Sequence, residues 1–246
     1  MEDVLPDGSK VWRATVSTED DGQTVSFRGA ITKASVDAVR RLTYGRTLRT
    51  LLIDSPGGEV DSAITLAYHV RAHGAELVVE GVCFSSCANY LFTGARSVKV
   101  KPKSLVALHG SIGSLYFRRN PVSEDTRVTI KTEQRFFEGI GFSVEPFFVW
   151  QRYAHAVQQS DVDKQLSGVK FGWAPTLAQW RAYGLKNIKE FWYPNTEADY
   201  KSLSGDTAKL ASYIVFGDAL TVLALRAELV RAMRSNENAI TLEADR

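Results

Sequence analysis

Charge of one sign is nearly absent from this sequence: 30 basic against 28 acidic residues leave a formal net charge of +2. So small an excess argues against nucleic acid or an anionic membrane as the main partner. Long apolar runs are missing too. No stretch approaches the ~20 apolar residues of a bilayer-spanning helix, so no membrane span is expected. The opening residues Met1, Glu2, Asp3 and Val4 lack the basic and apolar regions of a secretory leader, although a chain trimmed of its leader would read the same way. Internal repeats, low-complexity tracts and long linkers are also absent, which excludes fibrous and disordered classes.

What is present is an ordinary globular composition, with 44% hydrophobic and 24% charged residues in a chain of 246. That length suits one large α/β domain, or one domain with an appendage. Alternating residues 11–16 and 24–27 flank an acidic turn at 19–22 and predict an opening hairpin. Val36, Val39 and Leu42 at helical spacing, with Thr32 placed to cap, predict a helix over 33–43. An apolar strand over 48–53 then runs into a glycine-rich turn. A helix follows through Ala63, Leu66, Ala67 and Val70, closed by Gly74.

The pattern repeats, with a strand over 76–82, a helix over 86–92, and a strand pair over 97–108 around Pro102. Such alternation predicts a mostly parallel sheet with helices on its faces. Residues 124–159 read as helix with a break at 139–141, residues 175–183 as a short helix closed by Gly184, and residues 207–233 as a last long helix. The basic run 96–103 alternates, as a strand with one solvated face does. Trp150, Trp173, Trp180, Trp192 and Tyr193 read as packing of the helical layer or of a subunit interface, or as a lining for apolar substrate side chains.

Three segments carry chemistry. The Ser55-Pro56-Gly57-Gly58 turn offers backbone able to aim amide N–H groups at a developing oxyanion; a plain strand-to-helix turn would use the same letters. Ser85 and Ser86 stand where a strand enters a helix, near free N–H groups that favour negative charge; either hydroxyl also suits a helix N-cap. His109 leaves the apolar strand 105–108 into a glycine-containing loop, a place from which an imidazole can take a hydroxyl proton and return it to a leaving group. His69, His73 and His155 fall in helices or at their ends and read as non-catalytic.

In order and spacing, the SPGG turn, the G-x3-S-x8-G segment from Gly81 through Ser85 to Gly94, and the strand ending at His109 resemble the Clp-protease branch of the crotonase-like superfamily. The resemblance spans residues 24–190 and is specific over 52–110. It implies a spiral of ββα units over residues 1–195 and a C-terminal helical extension over 196–246. It also implies a serine hydrolase, most naturally a peptidase, with Ser85 as nucleophile, His109 as base, and the amides of Gly58 and Ser86 as oxyanion hole. No cofactor or metal is implied. The implied partners are a peptide or unfolded protein substrate and further copies of the chain. The Cys83-x-Ser85-x-Cys87 pattern is similar to Clp-like periplasmic proteins, which implies an exported protein, the cytoplasm being the alternative. Two cysteines at this spacing are either small buried residues or a disulfide.

One departure stands out. The family keeps an aspartate to orient the histidine, shortly before a helix ending like Tyr183-Gly184-Leu185, and counting back reaches Gly172. Asp161, Asp163 or a backbone carbonyl would have to replace it. The related signal-peptide peptidases use a lysine base, for which Lys131 is the alternative. Two rival functions remain open: an inactive peptide-binding or scaffold protein retaining the fold, and a crotonase-type acyl-CoA enzyme that also uses paired backbone amides.

Overall fold

A computed structural model of the chain describes residues 2–4, 10–116, 122–158 and 170–218. An antiparallel hairpin surrounds the acidic turn as expected, but its first strand is β3 (Thr15–Thr18), paired with β4 (Thr24–Arg28), and the strand expected over 11–16 is broken at residues 13–14. The earliest residues form a separate antiparallel pair, β1 (Glu2–Val4) with β2 (Lys10–Trp12). Helix α1 (Lys33–Leu42) starts at Thr32, whose hydroxyl accepts from the Ser35 N–H in a capping box.

Strand β5 (Thr50–Ser55), helix α2 (Val60–His73) and strand β6 (Glu76–Phe84) follow, and Gly74 closes α2 in the left-handed conformation. Next come a π-helix (Cys87–Phe92), β7 (Ser97–Val100), β8 (Leu105–Ala107) and the short α3 (Ile112–Tyr116). Helices α4 (Glu124–Ile140) and α5 (Glu145–Gln158) are separated by left-handed Gly141. The remaining described elements are β9 (Gly172–Ala174), α6 (Leu177–Ala182), β10 (Ile188–Phe191), α7 (Glu197–Ser202), α8 (Gly205–Tyr213) and β11 (Ile214–Phe216).

The main sheet has seven strands in the order β10-β7-β6-β5-β4-β3, with β8 also on β6, and every pairing but β3 with β4 is parallel. This is the mostly parallel sheet with flanking helices that the alternating pattern predicts. Strand β6 is its hub. Residues 76–79 of β6 pair with β7 and residues 82–84 with β8, so one edge of β6 receives two strands in succession. The expected strand pair over 97–108 is present as β7 and β8, and both of its members lie along β6.

One expected helix is present with a different winding, and one is cut short. The segment after Ser86 winds as a π-helix, with all six of its residues buried. The last helix stops at Tyr213 because Ile214, Val215 and Phe216, β-branched and aromatic residues suited to a strand, pair in parallel with β9. The remainder of that expected helix, residues 219–233, lies outside the described residues. Lys99 and Lys101 point outward from β7 and its extension and pair with Glu190 and Glu80, while Val98 and Val100 are buried, as the alternation requires. Among the described residues no helix is long and apolar enough to cross a membrane.

Candidate active site

Parallel register brings the three chemical segments to one place. Ser55 pairs with Cys83 across β5 and β6, and Phe84 pairs with Ala107 across β6 and β8. The SPGG turn, Ser85 and His109 thus leave the carboxyl ends of adjacent parallel strands, the end at which open α/β sheets place ligands.

The SPGG turn is fixed locally by the buried Ser55 hydroxyl, which accepts from the Gly57 N–H at 3.1 Å. Gly57 has φ +97°, and a Cβ there would lie 2.7 Å from the Phe84 carbonyl oxygen and 2.8 Å from both Ser85 Cβ and the Ser86 nitrogen. Only glycine lets the turn lie this close to the serine segment. The Ile31 N–H donates to the Gly57 carbonyl and the Glu59 N–H to the Ile31 carbonyl, both at 2.8 Å. In a parallel bridge of this kind the N–H of the residue between, Gly58, is turned away from Ile31.

Ser85 sits at φ +58°, which is uncommon for a non-glycine residue and occurs where the surroundings force it. Two bonds hold it: its N–H donates to the Ala107 carbonyl at 3.3 Å, and its carbonyl accepts the Asn89 N–H at 2.8 Å. A disulfide between Cys83 and Cys87, Cα atoms 5.2 Å apart, brackets the serine and ties the end of β6 to the first turn of the π-helix. The disulfide alternative is thus the one the structure contains. Ser86 is buried and its hydroxyl caps nothing, so the N-cap reading of that side chain is corrected. Its N–H belongs to the first turn, where intrahelical acceptors are lacking.

Ser85 Oγ and His109 Nε2 are 2.6 Å apart. His109 Nδ1 lies 2.6 Å from the carbonyl oxygen of Gly110. A carbonyl only accepts, so Nδ1 carries the proton of the neutral ring, and the Nε2 lone pair faces the serine hydroxyl, which donates to it. Burial lowers the His109 pKa from its ordinary value, partly opposed by the bond to Gly110, so the neutral ring is favoured at pH 7. The backbone of His109 is held on both sides. The Leu108 and Trp173 N–H groups donate to each other's carbonyls at 2.8 Å, and Asn89 Nδ2 donates to the His109 carbonyl at 3.4 Å.

Gly172, where the family pattern expects an aspartate, has no room for a side chain. A Cβ there would stand 2.6 Å from the Phe84 ring and 2.8 Å from the Leu108 carbonyl oxygen. The Phe84 ring lies edge-on to His109 with centroids 5.6 Å apart. Asp161 and Asp163 lie outside the described residues, and the Nδ1 proton they were to accept is taken by the Gly110 carbonyl. Lys131 is exposed on α4 and takes no part in this contact. His69 bonds to the Thr43 hydroxyl and His73 accepts the Leu48 N–H, so both serve the packing of α2; the side chain of His155 is outside the described set. Trp150, Trp173 and Trp180 are buried in the core, and Trp192 and Tyr193 pack on a second apolar cluster around Leu105 and Ile214.

Ser85 and His109 are each partly exposed. A cleft of about 410 Å³, lined by Pro56, Val82, Phe84, Leu210 and Tyr213 together with the charged Arg28 and Asp54, lies near the strand ends, but Ser85 and His109 are not among its lining residues. Among the described residues no group of three or more His, Cys, Asp or Glu is arranged to hold a metal ion. The arrangement can activate a hydroxyl beside backbone amides, which is acyl-transfer chemistry.

Sequence reasoning allowed a backbone carbonyl as the acceptor at Nδ1 but did not find that it is Gly110's, nor Phe84 as the neighbour of the ring, nor Glu133 beneath the loop that follows. Only Glu133 left a readable signal: it is a carboxylate on the same helical face as Phe136 and Phe137. No family model matches the sequence, and no curated protein matches it. Among solved structures, the chain is similar to a ClpP1 mutant from Listeria monocytogenes at 17% identity and a TM-score of 0.42, with 70% of this chain and 93% of that chain covered.

Proposed function

We propose that this chain is a serine hydrolase that cleaves peptide bonds through an acyl-enzyme, with Ser85 as nucleophile and His109 as general base. The single observation that carries this reading is the 2.6 Å contact between Ser85 Oγ and His109 Nε2, with the opposite ring nitrogen donating to the Gly110 carbonyl. Ser85 Oγ attacks the scissile carbonyl carbon while its proton passes to Nε2. The oxyanion is received by the amides of Gly58 and Ser86. As the tetrahedral species collapses, the C–N bond breaks and His109 returns the proton to the leaving amine. Water, deprotonated by the same ring, then releases the acid and restores Ser85.

A carbonyl stabilises the transient imidazolium less than a carboxylate would, because it carries only a partial charge. The pair is therefore a dyad of modest power whose tautomer is nonetheless set, and a wrong tautomer is what costs most when a triad acid is altered. Substrates in this reading are peptides or unfolded segments. By the resemblance, the protein is exported and works as a homo-oligomer.

A fluorophosphonate ester tests the proposal directly. The wild-type chain is expected to form one covalent adduct by mass spectrometry, and Ser85→Ala none. Absence of an adduct on the folded wild type would leave the non-catalytic peptide-binding reading. The pH dependence gives a second check. The reactive form has neutral His109, whose pKa burial lowers from 6.5, so the labelling rate should hold as pH falls through 6.5 and decline only below it. A midpoint above 6.5 would contradict the burial and tautomer assigned to the ring.

A further inference from the structure

We infer that Glu133 is a positioning residue for His109: from beneath, its buried carboxylate clamps the loop whose Gly110 carbonyl orients the imidazole. The inference rests on the hydrolase reading for its kinetic consequence, but not for its geometry. Glu133 is 3% exposed on α4. Its carboxylate accepts from the Tyr90 hydroxyl and two loop amides, and the Ser111 hydroxyl also lies beside it. The Tyr90 hydroxyl reaches Oε1 at 2.6 Å, the Ile112 N–H reaches Oε1 at 3.2 Å, and the Gly113 N–H reaches Oε2 at 2.7 Å.

The loop has been shaped around this carboxylate. A Cβ on Gly113 would stand 2.7 Å from Oε2, so glycine is what allows the approach. The next amide, that of Ser114, is satisfied by the buried Ser111 hydroxyl at 3.2 Å. All three leading N–H groups of α3 are thereby occupied, and the two given to Glu133 fix the chain only two and three residues beyond Gly110. Burial raises the Glu133 pKa, opposed by the bonds from Tyr90 and the loop. A buried carboxyl is costly to keep unless its partners make full use of it, and here those partners are a π-helix tyrosine and the histidine loop.

The connection runs in one direct line: Glu133 holds residues 112–113, these hold Gly110, Gly110 holds Nδ1 of His109, and Nε2 meets Ser85. Tyr90 closes the path from the other side, since it lies on the π-helix that begins two residues after Ser85. An acidic group thus supports the imidazole through a backbone carbonyl in place of touching it.

The test compares wild type with Glu133→Gln, Glu133→Ala and Tyr90→Phe in two measurements. Fluorophosphonate labelling is resolved into a limiting rate and a half-saturating concentration, and the His109 Nδ1–H is followed by proton NMR. Glu133→Gln keeps one acceptor for the loop and is expected to lower the limiting rate about tenfold, and Glu133→Ala about a hundredfold, with half-saturation unchanged because Glu133 is buried beneath the loop, away from solvent. Tyr90→Phe, which leaves both loop bonds in place, should change the rate less than about threefold. The protected Nδ1–H signal of wild type should weaken in Glu133→Gln and vanish in Glu133→Ala.

Folded Glu133→Gln that labels at the wild-type rate with the Nδ1–H signal intact would overturn the inference. A loss of thermal stability without change in either readout would overturn it equally, by making Glu133 merely structural. Should Glu133→Ala fail to fold, Glu133→Gln and Tyr90→Phe decide. If wild type is not labelled at all but the Nδ1–H signal responds to Glu133 as described, the clamp stands and the hydrolase reading falls.

Discussion

Between residues 55 and 86 the chain passes through positive φ at Gly57, Gly58, Gly74, Gly81 and Ser85, whereas over 122–158 it does so at Gly141 alone. The first region owes its shape to backbone turns pressed against one another. The second owes its shape to rings: Phe137 is 5.1 Å from Phe147 and 6.0 Å from Phe142 by centroid, and Phe136 packs at 5.3 Å on Phe137. The proposed chemistry draws on the region built by backbone, where amides and one hydroxyl can be aimed to fractions of an ångström. Burial energy sits on the other. Substitutions can break this division if it is wrong, because each region should fail in its own currency.

The largest effect on stability is expected from Phe147→Ala on α5. Phe147 is fully buried, and removing its ring should cost about 3–5 kcal/mol in denaturant unfolding. Labelling of the fraction that stays folded should be unchanged. A labelling rate that collapses along with stability would mean that the aromatic layer shapes the site after all.

Gly57→Ala comes next and should act on both. The new methyl would meet backbone atoms of Phe84 and Ser86 and the Cβ of Ser85, none of which can rotate away, at a φ that alanine avoids. Strain and overpacking together should cost about 2–4 kcal/mol, with about a hundredfold loss of labelling from a displaced Ser85. Loss of stability without loss of labelling would detach the SPGG turn from the site.

Replacing both cysteines by alanine should have a smaller effect. The bridge closes a loop of sequence separation 4, so the chain-entropy estimate for its removal is about 2 kcal/mol. Since it brackets Ser85, labelling should slow even at temperatures where the variant is fully folded. An unaffected rate would leave Ser85 held by its backbone bonds to Ala107 and Asn89 alone.

The same division explains what could be read from the letters. Ser85, His109 and the SPGG turn are legible only in combination: alone each reads equally as an N-cap, a structural histidine or a plain turn, and the resemblance in order and spacing is what selects them. The parallel sheet followed from alternation of periods. The acceptor at His109 Nδ1 was not legible, because any residue has a carbonyl and only geometry selects that of Gly110. Nor was the π-helix, whose winding depends on the buried surroundings of Cys87–Phe92 and not on the propensity of those residues. Strand β11 was lost inside an apparent helix because Ala-rich and Leu-rich neighbours on both sides masked three residues whose partner, β9, lies some forty positions earlier.

Two glycines of the ring-built region sharpen the comparison at the smallest scale. A Cβ on Gly139 or on Gly141 would meet nothing within 4 Å, so packing cannot decide the outcome at either. They differ in backbone conformation. Gly139 lies in the last turn of α4 with an ordinary helical φ, and Gly141 closes that helix at φ +68°. Gly139→Ala should therefore raise stability by about 0.5 kcal/mol, through the lower entropy of the unfolded chain and better helix propensity. Gly141→Ala should lower it by about 1 kcal/mol, the cost of a left-handed alanine. Opposite signs in the denaturation midpoint, at an unchanged slope, would show that even where rings carry the energy a single positive φ is still set by the backbone. Equal signs would mean that the end of α4 is held by something other than its cap.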